Sequence, residues 1–390
     1  MNVKEEISAS KVFQMHILDQ FKERFSCYNH SDSDAARVYN SRVIYVREAE
    51  KRVDAMPLVC WLGERKVVSM IDVTCLGEAL IDMFSVEVGR PLTEVSAFYP
   101  MPGGAPANLA VAVARQGASS AFIGKVGDDP FGHHLAETLA QQGVETHGMR
   151  FDEEARTGLN FHAQVDENTA THLFYRNPSA DMRLRPDELD GELLRSTRIY
   201  YFGSISLIQE PSRSATQQAL RIAKEAGALI AFDVNYRPGL WTSADAAREQ
   251  MLAIMPDVDV VKLNEDEIVL LTGSSDLAAA LKQLEKLGPE LCTVTLGPKG
   301  SAYQSRGKSE LVPPFVVQAV EPTGSGDAFM ATLLLGLLGT DGQWRARLQS
   351  SSMYDLLRRA NAAGALTATK KGAFAGFPTT AGITELLRQG

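Results

Sequence analysis

Short runs of apolar residues alternate along this chain with stretches in which apolar positions recur every three or four residues. Helical spacing of this kind is found at residues 107–115, 131–142, 212–226, 244–255 and 277–287. The strand-like runs lie between and before these stretches, at residues 71–76, 120–126, 198–202, 229–234, 258–263 and 291–296. Such alternation is typical of a mostly parallel sheet with helices on both faces. The sequence therefore predicts a doubly wound α/β domain whose ligands bind beyond the carboxyl ends of the strands.

Two segments depart from this rhythm, at about residues 92–102 and 157–176. Apolar and polar residues alternate singly there, most clearly in residues 157–163, and this alternation is typical of strands with one buried face. We expect the two segments to form a small antiparallel β lid over the strand ends of the larger sheet.

The first 70 residues differ in character from the rest of the chain. They carry many charges, no glycine before Gly63 and no regular alternation, although a short amphipathic helix is predicted around residues 12–25. Because Met70 directly precedes the first predicted strand, we assign residues 1–70 to an N-terminal extension and residues 71–390 to the α/β domain. The sequence does not indicate what the extension does.

Composition and charge narrow the classes of partner. The chain of 390 residues is 45% hydrophobic and carries a net charge of −9, so it has no overall field that would attract nucleic acid or an anionic membrane. No apolar run reaches the roughly 20 residues of a membrane span, and the polar, acidic start does not resemble a signal peptide. Four scattered cysteines form no CxxC pair, which favours a reducing compartment, and we expect the cytoplasm.

A glycine-rich turn directly precedes an apolar helix that extends to Leu338. Gly324 and Gly326 allow a tight turn that exposes successive N–H groups at the helix N-terminus, an arrangement that binds anions. Asp327 would lie in the first helical turn, where it can accept a proton from a hydroxyl that attacks the phosphorus of a bound phosphate. Taken alone, the same residues also fit a simple turn in which Asp327 complements the helix dipole.

Other polar residues fit a small-molecule site, and each has a plainer alternative explanation. Gly103 and Gly104 allow close backbone approach to a ligand, and Asn108 offers donors and acceptors, but a turn before a helix also explains them. Asp82 follows a predicted strand, either as a ligand group or as a solvated turn carboxylate. Arg176 ends the second lid segment, either as a multi-donor cation facing a ligand or as an exposed arginine.

The second half of the chain contains candidate residues for binding phosphate and metal. Asn264 and Glu267 have the spacing of a helix capping box, which is the simple explanation for the pair. Asn235 and Arg237 follow another strand, where a turn would also explain them. No Gly-x-x-x-x-Gly-Lys-Ser/Thr motif occurs, which excludes the P-loop mode of phosphate binding.

These stretches together resemble the ribokinase-like, or phosphofructokinase-B-type, family of carbohydrate kinases over about residues 72–378. The resemblance implies that a Gly-x-Gly-Asp turn forms the catalytic centre, with Asp327 as general base and Gly324, Ser325 and Gly326 as the backbone anion hole. It also implies that Asp82, Gly103, Gly104, Asn108, Arg176 and Asp327 bind the sugar. The run Arg-Asn-Pro-Ser-Ala-Asp at residues 176–181 is similar to that of bacterial fructokinases, so we expect fructose and a charge-stabilising role for Arg176.

The resemblance further implies ATP and Mg²⁺ as cofactors. Asn264 and Glu267 would organise magnesium-bound water, and the nucleotide contacts would be Asn235, Arg237, Asn264, Thr295, Gly297, Gly300, Gly324, Gly326, Asn361 and Ala365. The family usually has Asp-Thr-Thr-Gly-Ala-Gly-Asp at the catalytic turn, whereas this chain has Glu321, Pro322 and Ser325. The use of a monovalent cation such as K⁺ is therefore left open.

Alternative functions remain at this point. An aminoimidazole riboside or other nucleoside kinase and a 2-keto-3-deoxygluconate kinase share the same general motifs. A non-catalytic sugar-sensing or scaffold relative is a third alternative, although a scaffold would need neither Asp327 nor the loop glycines. Since lid strands in the family often pair between subunits, we also expect a homodimer formed through the lid.

Overall fold

The computed structural model describes residues 70–165, 170–339, 343–348 and 353–389, together with two short antiparallel strands, β1 (Val38–Tyr39) and β2 (Arg42–Val43). The chain divides into two units, Met1–Val68 and Ser69–Gly390. The amphipathic helix predicted around residues 12–25 lies outside the described residues. The larger unit contains every element discussed below.

Strands of the larger unit form two sheets. In chain order they are β3 (Ile71–Leu76), β4 (Leu80–Ser85), β5 (Phe98–Gly103), β6 (Ser120–Gly127), β7 (Val144–Asp152), β8 (Leu159–Gln164), β9 (Ala170–Tyr175), β10 (Thr197–Gly203), β11 (Leu229–Asp233), β12 (Val260–Asn264), β13 (Leu291–Thr295), β14 (Ser301–Ser305) and β15 (Lys308–Val312). The large sheet has nine strands in the order β15-β14-β13-β12-β11-β10-β3-β6-β7. All neighbouring strands pair in parallel except at one edge, where β13/β14 and β14/β15 are antiparallel pairs, so that β14 alone runs in the opposite direction.

Helices cover both faces of the large sheet. They are α1 (Ala105–Arg115), α2 (Pro130–Gln141), α3 (Gly191–Arg195), α4 (Ser212–Glu225), α5 (Ala244–Ile254), α6 (Glu265–Thr272), α7 (Leu277–Glu285), α8 (Ser325–Leu338), α9 (Trp344–Arg347), α10 (Met353–Ala368), α11 (Ala373–Gly376) and α12 (Thr380–Gln389). One core packs α1, α8 and α10 against the sheet, and the other packs α4 to α7 against its opposite face. Successive residues of a strand point into different cores, as Ile199 and Tyr200 do. Burial on both faces explains why these strands are continuous apolar runs.

Strands β5-β4-β8-β9, in that order, form a second sheet, here called the lid sheet. The pair β4/β5 and the pair β8/β9 are antiparallel, whereas β4 and β8 are parallel. Only residues 77–79 separate β4 from β3 of the large sheet. The lid sheet is therefore attached directly to the end of a central strand.

The predicted fold class is confirmed: a mostly parallel sheet is covered by helices on both faces and accompanied by a small sheet. Strand Ile71–Leu76 has the bounds that the sequence predicted, and most other elements agree within about two residues. The first lid segment is corrected, because Leu92–Glu94 forms a turn of 3-10 helix and the strand begins at Phe98. Asp82 is also corrected, since it lies within β4 rather than at a strand end.

In the described part of the chain, no helix is both long and apolar enough to cross a membrane.

Candidate active site

A cleft of about 770 Å³ opens between the lid sheet and the carboxyl ends of the large sheet's strands. Its walls come from the inner face of the lid sheet, from the segments that follow β11, β12 and β13, and from the turn before α8. This is the edge at which a doubly wound sheet is expected to bind its ligands.

The turn before α8 is shaped by close backbone contacts. Gly324 has a φ of 84°, and a Cβ atom there would lie 2.8 Å from the Cβ of Ala373. A Cβ atom at Gly326 would lie 3.1 Å from Nζ of Lys262. The first N–H groups of a helix have no acceptor within the helix, so this glycine turn presents backbone donors beside a lysine ammonium. The arrangement suits an anion.

Asp327 lies in the first turn of α8 and is 8% exposed. Its Oδ2 accepts a 2.8 Å hydrogen bond from Nδ2 of Asn108, on α1. Burial, and next the nearby carboxylate of Asp233, raise the pKa of Asp327 to about 7, while Lys262 and the Asn108 hydrogen bond act in the opposite direction. A carboxyl group with a pKa near neutrality is suited to proton transfer.

Lys262 and Asp233 form a buried ion pair on the adjacent strands β12 and β11. Nζ of Lys262 lies 3.0 and 2.9 Å from the two oxygens of Asp233, and Asp233 is 1% exposed. Burial lowers the pKa of Lys262, but the carboxylates of Asp233 and Glu267 outweigh it and leave that pKa raised. The ammonium is therefore charged, and it also lines the cleft.

Asp82 is held in the lid sheet by its neighbours on both sides. Its Oδ1 accepts a 2.7 Å hydrogen bond from Nδ2 of Asn160 on β8. On the other side, a Cβ atom at Gly103 would come within 2.0 Å of Oδ2, so only glycine leaves room for the carboxylate. Burial raises the pKa of Asp82 to about 7, against the hydrogen bond from Asn160.

The inner face of the lid sheet is aromatic as well as polar. Phe84 meets His162 edge to face at 4.8 Å, and His162 stacks on His172 at 4.6 Å. Phe174 lies beyond His172, with a centroid distance of 6.1 Å. All four rings line the cleft, so a ligand there meets ring faces alongside Asp82 and Asn160.

The far end of the cleft has the predicted capping box. Oδ1 of Asn264 accepts the N–H of Glu267, while Oε2 of Glu267 accepts the N–H of Asn264, both at 2.8 Å. Oε1 of Glu267 accepts the N–H of Tyr236 at 2.7 Å. Asn235, Arg237, Thr295 and Gly297 line the same end.

The residues at this end fit a magnesium ion whose ligands come mainly from water and from a bound phosphate group. Within the described residues there is no cluster of three or more His, Cys, Asp or Glu side chains that could hold a metal ion by itself. Both oxygens of Glu267 already accept backbone N–H groups, so their remaining lone pairs suit metal-bound water. Magnesium characteristically keeps several waters and takes its other ligands from phosphates.

Several predicted site residues do not line the cleft. Arg176 is 4% exposed and its Nη2 donates to Asp181, so it lies behind the wall rather than facing a ligand. The backbone of Gly300 passes close to that of Val312, whose carbonyl also accepts from Asn361 at 3.2 Å. The other residues outside the lining are Gly103, Ser325 and Ala365.

The structure also brings residues to the cleft that sequence reasoning missed. They include Glu78, Asn160, His162, His172 and Lys262, and the buried Asp233 lies behind the lining as the partner of Lys262. Two signals could have found some of them. Asn160 and His162 alternate on one face of a predicted lid strand, and Asp233 and Lys262 lie at the ends of two predicted strands.

Comparisons with known proteins place this site in context. Residues 70–380 match the model of the pfkB family of carbohydrate kinases. Probable fructokinase-4 of Arabidopsis thaliana is 44% identical over 319 residues, which are 81% of this chain and 96% of the relative.

Solved structures of sugar kinases are also similar to this chain. A fructokinase with bound ATP from Xylella fastidiosa has a TM-score of 0.75 and 32% identity, covering 82% of this chain and 98% of that one. A putative ribokinase II from E. coli in complex with ATP and Mg²⁺ has a TM-score of 0.73 and 26% identity, covering 82% and 100%. A fructokinase double mutant from Vibrio cholerae O395, with fructose, ADP and potassium ion, has a TM-score of 0.72 and 32% identity, covering 82% and 99%.

The buried pair at the cleft floor generates a prediction about stability. Replacing Lys262 with Met leaves the Asp233 carboxylate buried without its partner, and we expect the free energy of unfolding to fall by about 3–5 kcal/mol. The double variant Lys262→Met/Asp233→Asn removes both charges and should recover most of that loss. Chemical denaturation measures the free energy of unfolding of the unmodified protein, the single variant and the double variant.

The matched control is Lys299→Met, which removes an exposed ion pair with Glu265 and should cost less than about 1 kcal/mol. A Lys262→Met protein as stable as the unmodified chain would contradict the prediction.

Proposed function

Because the chain belongs to the pfkB family of carbohydrate kinases, we propose that it transfers the γ-phosphoryl group of ATP to a primary hydroxyl of D-fructose. One observation carries the proposal. The Asp327 carboxyl group, with its pKa near 7, lies at the glycine turn of α8 and faces the same cleft as Asp82. A proton acceptor, an anion-binding turn and a hydroxyl-binding carboxylate thus share one space.

Fructose as the sugar is supported by the relatives. The similar Arabidopsis protein is named a probable fructokinase, and the Vibrio cholerae fructokinase structure contains fructose. In this chain, Asp82, Gly104 and Asn108 are the groups that we assign to the sugar hydroxyls.

The transfer follows from the positions of the catalytic groups. As the primary hydroxyl oxygen forms its bond to the γ-phosphorus, the bond from that phosphorus to the β,γ-bridging oxygen breaks. The hydroxyl proton passes to the Asp327 carboxylate, and ADP leaves with the bridging oxygen. The backbone N–H groups at the turn from Gly324 to Gly326 and the ammonium of Lys262 stabilise negative charge on the transferred group.

Nucleotide binding is assigned to the end of the cleft away from the lid. Asn235, Arg237, Asn264, Thr295 and Gly297 line that end. Asn264 and Glu267 would hold Mg²⁺ through its water ligands, and the ion would offset the charge of the phosphates. Gly300, Asn361 and Ala365 support this region from outside the lining. A monovalent cation such as K⁺ is included in the proposal because the Vibrio cholerae structure holds potassium ion.

A substrate panel tests the function. With ATP and Mg²⁺, we expect ADP release with fructose to exceed that with ribose, 2-keto-3-deoxygluconate or aminoimidazole riboside. Asp327→Asn is the matched control: it should still bind fructose and ATP but turn over at least about a hundredfold more slowly, since it lacks the general base. The absence of ADP with every sugar, despite measurable sugar binding, would favour the scaffold alternative, and near-normal turnover of Asp327→Asn would remove Asp327 from its role.

The pKa of Asp327 generates a prediction about pH. Only the ionised carboxylate accepts the proton, so kcat/KM for fructose should fall about tenfold for each pH unit below about 7. Asp82 has a pKa near 7 as well, and its protonation steepens the decline. Steady-state rates between pH 5 and 9 measure the profile. A flat profile over that range would rule out a titrating base of this pKa.

We also propose a homodimer formed through the outer face of the lid sheet, and a cytoplasmic location. The outer face carries Phe161, Leu173 and Tyr175, and the last two are 47% and 61% exposed. Because exposed aliphatic and aromatic side chains on one sheet face favour association, a second copy is the occupant we expect.

The proposed cytoplasmic location is supported by Cys75 and Cys292, which are buried free thiols.

The dimer is tested by Leu173→Asp/Tyr175→Asp, which places two charges on that face. Light scattering should show that the molar mass in solution halves, while circular dichroism stays unchanged. A single mass for both proteins would contradict association through this face.

A further inference from the structure

We propose that Asn160 and His172 are specificity-determining residues, which act with Asp82 to recognise adjacent hydroxyls of the sugar. The proposal rests on the function given above and extends it to residues of the lid sheet that the sequence motifs did not include. Asn160 positions its two neighbours, and Asp82 and His172 contact the sugar.

The three side chains form a connected group across three strands. Nδ2 of Asn160 lies 2.7 Å from Oδ1 of Asp82 and 3.3 Å from Nδ1 of His172. Strand β8, which carries Asn160, lies between β4 with Asp82 and β9 with His172. Since the two N–H bonds of one amide serve both neighbours, the orientation of Asn160 sets the positions of the carboxylate and the imidazole.

The hydrogen bond from Asn160 also fixes where His172 carries its proton. Nδ1 of His172 accepts from the amide, so the proton of the neutral ring is on Nε2. Burial, and next the neighbouring His162 and Arg237, lower the pKa of His172 to about 4, so the ring is neutral at pH 7. The cleft therefore receives a hydrogen-bond donor from His172.

Asp82 supplies the complementary acceptor. A sugar hydroxyl can donate one hydrogen bond and accept others, so one hydroxyl can donate to the Asp82 carboxylate while its neighbour accepts from His172. An epimer inverted at either carbon loses one of these contacts, and loss of the contact to Asp82 leaves a buried carboxylate unpaired. Such losses are the strongest source of discrimination between similar substrates.

The burial of Asn160 supports a functional role. The residue is 6% exposed, and its Oδ1 has no hydrogen-bond partner within the described residues. A buried amide with an unpaired acceptor costs free energy that an apolar side chain would avoid. The hydrogen bonds by which Asn160 orients Asp82 and His172 explain why an asparagine occupies this buried position.

The experiment compares Asn160→Ala and His172→Phe with the unmodified protein. For Asn160→Ala we expect the KM for fructose and the calorimetric Kd for fructose to rise about tenfold or more, with less than a twofold change in the KM for ATP. For His172→Phe we expect the preference for fructose over ketohexoses epimeric at C3, C4 or C5 to shrink about tenfold in kcat/KM. His172→Gln keeps a donor and should restore part of that preference.

A pH profile separates a positioning role from a loss of packing. The hydrogen bond from Asn160 lowers the pKa of Asp82, so its removal should move the acid-side weakening of fructose binding to higher pH. The other charged or titratable groups that act on Asp82 and His172 are unchanged in this variant: Glu78, His162, Arg237 and Glu321.

The matched control is His147→Phe on the edge strand β7, where the histidine side chain is 83% exposed; it should leave every value unchanged. Unchanged fructose binding and unchanged preference in both lid variants would overturn the inference, as would an equal rise in the KM for ATP. If the unmodified protein binds fructose but releases no ADP, the proposed function fails. The binding constants of the variants then still decide the role of Asn160 and His172.

Discussion

The buried ion pair of Lys262 and Asp233 is the interaction on which the cleft depends. Two aspartates, Asp233 and Asp327, are buried at this end of the strands, and burial, and next the nearby Asp233 carboxylate, raise the pKa of Asp327. The ammonium of Lys262 pairs with Asp233, opposes the rise in the pKa of Asp327 and places one positive charge beside the glycine turn. Without it, the two carboxylates would oppose the binding of a phosphate at the glycine turn. The positive charge of Lys262 thus stabilises the fold by pairing with Asp233 and, in the proposed reaction, stabilises the transferred phosphoryl group.

The lid sheet fixes the position of the Asp82 carboxylate. Asp82 has a strand on each side, and each of these strands fixes one carboxylate oxygen. β8 contributes an amide donor from Asn160, and β5 contributes a glycine, Gly103, whose missing side chain makes room for the second oxygen. Gly103 therefore serves the ligand site although it does not line the cleft.

The order of elements was predictable from the sequence because burial on both faces leaves long apolar runs. β3 and α8 are examples, and both are bounded by clear signals at their ends. β4 was not predicted as a strand, since Asp82 interrupts its apolar run and aspartate disfavours strands; pairing with β5 and β8 overrides that preference. The catalytic turn was recognisable because its residues are contiguous.

The contacts that surround the turn were less predictable, because they join distant parts of the chain. Asn108 and Asp327 are 219 residues apart, and Asp82 and Asn160 are 78 apart. Such pairs are set by the order of strands in the sheets, which the sequence pattern does not specify. Arg176 shows the converse: its place at the end of a lid strand indicated either a cation facing the ligand or an exposed arginine, whereas in the structure it is buried and donates to Asp181.

The three-residue link between β3 and β4 has a consequence for how this molecule can be altered. Most of the side chains that we assign to selecting the sugar lie on the lid sheet, whereas those that handle phosphate lie on the large sheet and α8. The two sets face each other across the cleft, and Asn108 of α1 joins them through its hydrogen bond to Asp327. A designer can therefore exchange the inner face of one sheet to accept a different polyol while leaving the phosphate chemistry intact, and divergent evolution has the same freedom.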